Sequence, residues 1–218
     1  MTERVLDRLP YFDERSRAYN IRAVVDPTAV RSYTWACAAT LDQHSEGACV
    51  GFGWTHEAIA RPREWRNLGA GDARSHYREA QKIDPWPGED YEGTAVLAGA
   101  KVAQQRGYIG EYRWAFGTDD ALAAISRKGP AVIGVNWYTG MFDTDDTGFI
   151  RPTGRVAGGH CILVRGVNVA AQTVLLHNSW GSDWGGTRWG PGTALMTWDD
   201  FDRLLREDGE CCIPTDRR

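Results

Sequence analysis

His177-Asn178-Ser179-Trp180-Gly181-Ser182-Asp183-Trp184-Gly185-Gly186 is the stretch on which the reading of this chain turns. It gains its meaning from Gly158-Gly159-His160 shortly before it and from Gln43-His44-Ser45-Glu46-Gly47-Ala48-Cys49 far upstream. Together these segments supply a Gln, a Cys, a His and an Asn in chain order. A thiol is a strong nucleophile only as thiolate, and a neighbouring imidazole both takes its proton and later returns it to a leaving amine. Such an imidazole needs an orienting partner. The side-chain oxygen of Asn178 is suited to accept from the second ring nitrogen, as the third member of a triad does. Charge developing on an attacked carbonyl calls for donors, and the Gln43 amide, six residues ahead of Cys49, is suited to act with the Cys49 N–H. The expected roles are therefore Cys49 as nucleophile, His160 as base and then acid, Asn178 as its orienter and Gln43 at the oxyanion.

These residues resemble the site of the papain-like cysteine peptidases, the family of papain and the cathepsins. The resemblance runs from Asp42 to the C-terminus, and its most specific part is Asn178-Ser179-Trp180-Gly181 followed by Trp184-Gly185. It implies that Trp180 shields the Asn178–His160 hydrogen bond. It also implies a pocket for the residue preceding the scissile residue, lined by Gly134, Gly158 and Cys161, with backbone from the loop between Gly88 and Gly93 opposite. Several positions depart from the family pattern. Glu46 stands where a disulfide cysteine is usual, Val50 where a Trp follows the nucleophile, and glycines precede His160 in place of an acidic neighbour. The family's Cys-to-His and Cys-to-Asn intervals of about 130–150 residues are shortened here, which implies a helical lobe with reduced loops. The likeness is to a prokaryotic-type member without the disulfide or a separate pro-segment: only 48 residues precede Cys49, whereas an inhibitory pro-segment would take about a hundred. The expectation is an enzyme active as made, or restrained by something other than a pro-segment.

Composition narrows the remaining choices. The 218 residues suffice for one unit with a substantial core, and ten tryptophans make that core aromatic-rich. A formal charge of −4 leaves no basic footprint for nucleic acid. Five cysteines form no regular framework and an odd number cannot all pair, which favours a reducing compartment. The first thirty residues hold no apolar run of signal-peptide type, and no run is long enough to span a membrane. A cytoplasmic location is expected, with no membrane partner.

Along the chain, residues 1–40 read as an irregular arm with a candidate strand at 20–25. Residues 41–129 read as a helical lobe carrying Cys49, and 130–218 as a strand-rich lobe carrying His160 and Asn178. A helix is expected from Cys49 to Ala60, ended by Arg61-Pro62, with Val50, Phe52, Trp54, Ala58 and Ile59 near helical spacing. Cys49 then sits at a helix N-terminus, where the macrodipole favours a thiolate. Residues 61–87 look turn-rich and without periodicity. Helices are expected at 93–106, closed by Gly107, and at 118–128, ended by Gly129-Pro130. Strands are expected at 131–137, 161–167, 173–177 and 193–198, with a short helix opening at Trp198.

Other clusters carry less. His44, His56, His76 and His177 have no ligand spacing with the cysteines, so neither metal nor cofactor is expected. Asp143-Thr144-Asp145-Asp146-Thr147-Gly148 resembles the opening of a calcium loop, but Gly154 stands where a bidentate Glu belongs. It reads as a solvated turn whose carboxylates would favour basic substrate groups if they rimmed the cleft. The fold class implied is α+β: a papain-like, two-lobed fold with a helical lobe, an antiparallel β-barrel-like lobe and a cleft between them. The expected activity is hydrolysis of peptide or isopeptide bonds in a polypeptide substrate through a Cys49 thioacyl-enzyme. Two alternatives use the same residues: acyl transfer to an amine, and an inactive binding module that kept the fold.

Overall fold

A computed structural model describes residues 4–218 of the chain. The first three residues of the 1–40 arm lie outside the described part. The arm carries 3-10 turns at Glu14–Tyr19 and Ile21–Ala23, where a strand was expected at 20–25. Asn20 explains the difference, because its side chain accepts from the Arg22 N–H at 2.9 Å and caps a turn.

The helices come first. α1 (Cys49–Ala58) is buried along its whole length, as its near-continuous small and aromatic residues require. α2 (Ala70–Gln81) lies in the stretch expected to be turns. Its buried stripe is Ala73, His76, Tyr77, Ala80 and Gln81, correctly spaced for a helix but nearly free of large aliphatic side chains. The Asp72 carboxylate accepts from the Gly69 N–H at 2.9 Å and fixes its start. Gly51 of α1 lets the two helices meet, since a Cβ there would come within 2.3 Å of the Ala73 carbonyl. α3 (Val96–Gln105) closes at Gly107 with φ of 74°.

An antiparallel sheet carries the rest. Its strands are β1 (Tyr33–Thr34), β2 (Ile109–Ala115), β3 (Ala131–Tyr138), β4 (Val156–Asn168), β5 (Thr173–His177), β6 (Thr193–Thr197) and β7 (Glu210–Arg217). Their order is β2-β7-β3-β4-β5-β6, with β1 pairing β4. The sheet is open, with β2 and β6 at its ends, so the lobe is less closed than the barrel-like form expected. β2 and β7 were not anticipated, because Glu111, Arg113, Asp216 and Arg217 interrupt their apolar alternation.

Strand periodicity divides the interior in two. Val132, Cys161, Leu163 and Cys212 pack with Cys49, Val50, Trp54, Val96 and Ala100 of α1 and α3. The alternate residues Ile133, Val135, Trp137, Ile162, Val164, Cys211 and Ile213 pack with residues of α4 (Thr118–Arg127), with Phe201 and Leu204 of α5 (Trp198–Arg206), and with Trp180 and Trp184. β2 and α4 thus belong with the sheet although they precede position 130. The buried Arg217–Glu57 pair, 2.6 Å, joins β7 to α1. At another contact between helix and sheet, the His56 and His177 rings lie 4.6 Å apart. No helix among the described residues is long and apolar enough to cross a membrane.

Candidate active site

Cys49 is the first residue of α1, and its sulfur takes a hydrogen bond from the backbone N–H of Cys161 in β4. The thiol is completely buried. Burial pushes it up to about 12, opposite to the shift expected from the helix terminus. The magnitudes explain the reversal: a helix end is worth about 0.3–1 kcal/mol to an anion, less than one pKa unit, whereas full desolvation shifts a group by up to about 3–5 units.

His160 lies in β4 opposite Val135 of β3. Its Nε2–H donates to Asn178 Oδ1 at 2.7 Å, and the same oxygen accepts from the Ser179 N–H at 2.8 Å. Asn178 is held at the end of β5 by its own N–H, which donates to the Gly192 carbonyl at 2.9 Å. Trp180 stacks on the imidazole with centroids 4.7 Å apart, and Trp137 meets the ring edge-on at 4.8 Å. With Nε2 protonated, Nδ1 carries the free lone pair, and among the described residues it has no hydrogen-bond partner. Burial holds the ring down at about 4, only partly opposed by the Asn178 hydrogen bond. Resting thiol and imidazole are therefore both neutral at pH 7.

Gln43 is fully buried. Its N–H donates to the Ser179 carbonyl at 2.8 Å, and its side-chain Oε1 accepts from Ser179 Oγ at 2.6 Å. Ser179, not anticipated from the sequence, thereby ties Gln43 to the residue beside Asn178. The Gln43 Nε2 group donates to the Glu46 carbonyl at 2.9 Å and to the Val5 carbonyl at 3.2 Å.

That last contact belongs to a segment that fills the cleft. Trp180 Nε1 also donates to the Val5 carbonyl, at 3.3 Å. Arg4 lies over the Trp180 ring at 5.6 Å and pairs with Asp143 at 2.8 Å, so one carboxylate of the 143–148 turn does face a basic group. The Arg8 N–H donates to the Gly159 carbonyl at 2.8 Å, and the Leu9 N–H donates to the Thr94 carbonyl at 3.0 Å. Asp7 passes between these walls with φ of 82°. An enzyme active as made, or restrained by something other than a pro-segment, was expected; the structure lays the chain's own arm along both walls of the cleft. No sequence pattern marks this, because the contacts span most of the chain.

The expected pocket residues divide. A Cβ on Gly134 would lie 2.6 Å from Arg8 Nε, and one on Gly158 would lie 2.9 Å from Leu6 Cδ1. Gly93, with φ of 91°, faces the Asp7 carbonyl, which a Cβ would strike at 2.1 Å. The Cys161 side chain turns toward Gly53 of α1, because in a strand it points away from its neighbour His160. Nothing lies within 4 Å of a Cβ placed on Gly88, which stands apart from the arm. Among the described residues no group of three His, Cys, Asp or Glu is arranged to hold a metal ion.

Comparison with known proteins gives no match to a sequence family model and none among curated proteins. Solved structures do match. Xylellain, a cysteine protease from Xylella fastidiosa, superposes with a TM-score of 0.69 at 16% identity, covering 100% of this chain and 99% of that one. Bromelain from Ananas comosus, in complex with the E64 inhibitor, gives 0.61 at 13% identity over 84% of this chain and 95% of its own. Procathepsin L2 from Tenebrio molitor gives 0.57 at 18% identity over 99% and 76%. The fold is that of the papain-like cysteine proteases, reached here by a sequence very different from theirs.

Proposed function

We propose that this chain is a cysteine peptidase that hydrolyses peptide or isopeptide bonds in polypeptides through a Cys49 thioacyl intermediate. The observation that carries the reading is the continuous hydrogen-bonded chain from His160 Nε2 to Asn178 Oδ1, to the Ser179 backbone, and from Ser179 Oγ to Gln43. What supports it further is that the lone pair on His160 Nδ1 is free among the described residues and that Cys49, which begins α1, takes a hydrogen bond from the N–H of Cys161, the residue after His160.

Once the arm has moved aside, the thiol proton passes to His160 Nδ1 and the sulfur attacks the carbonyl carbon. The C=O π electrons move onto oxygen, where the Gln43 amide and the Cys49 N–H hold the charge. Collapse re-forms the carbonyl and expels the amine, which takes the proton from Nδ1. Water then gives a proton to Nδ1 and attacks the thioester. The acid leaves, and the sulfur recovers its proton. Delivery of the acyl group to an amine in place of water would make the same machinery a transamidase. Five free cysteines suit a reducing, cytoplasmic setting.

The test is a cleavage screen on a peptide library with the full chain, the Arg8→Ala chain and the Arg8→Ala/Cys49→Ala chain side by side, with an added amine in a parallel arm. Cleavage that disappears with Cys49 is expected. Cleavage that persists without Cys49 would overturn the assignment.

A further inference from the structure

A second groove crosses the sheet, and none of the residues lining it belongs to the cleft that holds the arm. Its floor follows one register line: Thr34 of β1 pairs with Gly166 of β4, Gly166 with Leu175 of β5, and Leu175 with Leu195 of β6. Residues paired in this way point to one face of a sheet. Leu175 faces away from its neighbours Val174 and Leu176, which belong to the core. Gly166 keeps the middle of the row low, since even a Cβ there would stand 3.0 Å from Leu175 Cβ and Thr34 Oγ1. The hollow above has a volume of about 760 Å³.

Three aromatic rings wall the hollow, and each carries a guanidinium. Tyr33 and Trp189 are 40% and 42% exposed, with Arg31 over the first at 4.8 Å and Arg188 over the second at 5.0 Å. Phe149 has Arg151 over it at 5.5 Å. Two of the walls are tied together from beneath. Buried Arg165 donates from Nη1 to the Trp35 carbonyl at 2.8 Å and from Nη2 to the Trp189 carbonyl at 3.1 Å, so one side chain sets the spacing between the Tyr33 strand and the Trp189 loop.

Charge is segregated on this face. Residues 27–41, 155–178 and 184–197, which supply most of the groove, contain Arg31, Arg155, Arg165 and Arg188 but no Asp or Glu, although the chain has 29 acidic residues. Among the described residues neither Arg31 nor Arg188 meets a carboxylate, and Arg151 reaches Asp200 only at 3.8 Å. The acids closest in sequence lie beside the third wall, where Asp145 accepts from the Thr147 and Phe149 N–H groups and Asp146 is exposed.

We infer that this groove docks a partner polypeptide through an extended segment in which acidic and apolar side chains alternate. From β1 to β6 is three strand spacings, about 14 Å, which about four extended residues would span. Alternate side chains of such a segment point down to the leucines and up to the rim. The leucine floor takes the apolar ones, and the guanidinium groups take the carboxylates. A nucleic-acid strand fits less well, because the floor offers a polyphosphate nothing and the net charge of −4 repels it. The inference stands apart from the peptidase reading.

The experiment measures fluorescence anisotropy of labelled peptides with the full chain carrying Cys49→Ala, so that no peptide is consumed. The probes are Glu-Leu-Glu-Leu and Lys-Leu-Lys-Leu, each flanked by glycines. The acidic peptide should bind at least about 10-fold more tightly, since each exposed ion pair contributes up to about fivefold, and the difference should shrink as salt rises above about 0.15 M. Arg31→Gln/Arg188→Gln should weaken the acidic peptide by about 10-fold. Trp189→Ala, which removes a ring and no charge, should weaken it by at least about fivefold. All three side chains are exposed, so the variants keep the fold. Equal affinity for the two peptides, or binding unchanged in both variants, would overturn the groove as a docking site. A single-stranded poly-dT oligonucleotide bound more tightly than the acidic peptide, with the same sensitivity to Trp189→Ala, would overturn the choice of a polypeptide. Self-association of the chain that Trp189→Ala abolishes, read by sedimentation, would give the groove to a second copy and overturn the separate partner.

Discussion

The carbonyl oxygen of Val5 accepts a hydrogen bond from Nε2 of Gln43. The amide expected to hold an oxyanion therefore holds the chain's own backbone, while burial raises the Cys49 thiol and lowers the His160 imidazole. On the proposed mechanism, displacing the arm and solvating the Cys49–His160 pair would occur together. Arg8 of the arm is paired with buried Glu210 at 3.0 Å. Removing one partner of a buried ion pair costs about 3–5 kcal/mol, so Arg8→Ala should loosen the arm. Iodoacetamide labelling of the full chain near pH 7 should be slow and reach Cys37 first, the one cysteine that is not fully buried. Arg8→Ala should raise the Cys49 labelling rate at least about 10-fold, an opening of about 1.4 kcal/mol. Mass mapping checks it; fast Cys49 labelling in the unaltered chain would contradict the coverage.

Gln43→Ala in the Arg8→Ala background should lower kcat by about 10²–10³ through loss of one oxyanion donor. Cys49 labelling should survive, because the His160–Asn178 bond does not pass through Nε2 of Gln43. Single-turnover acylation rates would separate the two effects.

Asn178→Ala should act on the imidazole instead. Without Oδ1 to accept from Nε2–H, the tautomer and ring orientation are no longer fixed, and general acid–base catalysis worth about 10²–10⁴ is partly lost. The expected outcome is a fall in kcat with an accompanying fall in thiol labelling, unlike Gln43→Ala. Stopped-flow labelling alongside turnover would show whether both change together.

Stability should decline in acid. Burial holds His56 down at about 3, His76 and His160 at about 4, and His177 well below its ordinary value. Because these folded values lie below the unfolded value of about 6.5, the unfolded chain binds more protons in that window. Their contribution is complete above about 6.5 and is lost as pH falls toward 3–4. Glu210 has the opposite sign. Burial, partly offset by Arg8, raises it to about 7, so its protonated native form is favoured at low pH, and that contribution disappears as pH rises through 7. Burial raises Glu57 and Glu92 as well, and they share the sign of Glu210; four lowered histidines against three raised glutamates give a net loss of stability from pH 6.5 to 4. Denaturant melts across that range would test it, and a flat or rising midpoint would refute it.

Much of this was legible where a residue type carries its own meaning. β5 occupies the expected residues because Thr173–His177 is a compact apolar run between turn signals, and the expected pairing of His160 with Asn178 is present at 2.7 Å. α2 was hidden because alanines, a histidine and a tyrosine make its buried face, and β7 because Pro214 and charged residues break its pattern. Glu210 and the arm were beyond reach for another reason. A carboxylate beside two cysteines reads as surface until Arg8, 202 positions away, is seen against it.

The arm also fixes how the molecule answers to concentration. Beyond the cleft the chain is anchored again where Asn20 bridges Trp114 and Arg22 pairs with Asp120, so Leu9 is joined to a fixed point by a short span. A ligand tethered in this way acts at an effective concentration on the order of millimolar, whatever the amount of protein in solution. Dilution will not release it. An external peptide must outcompete that local concentration at every dose, and its apparent affinity will be weakened by the same constant factor in nanomolar and micromolar samples alike.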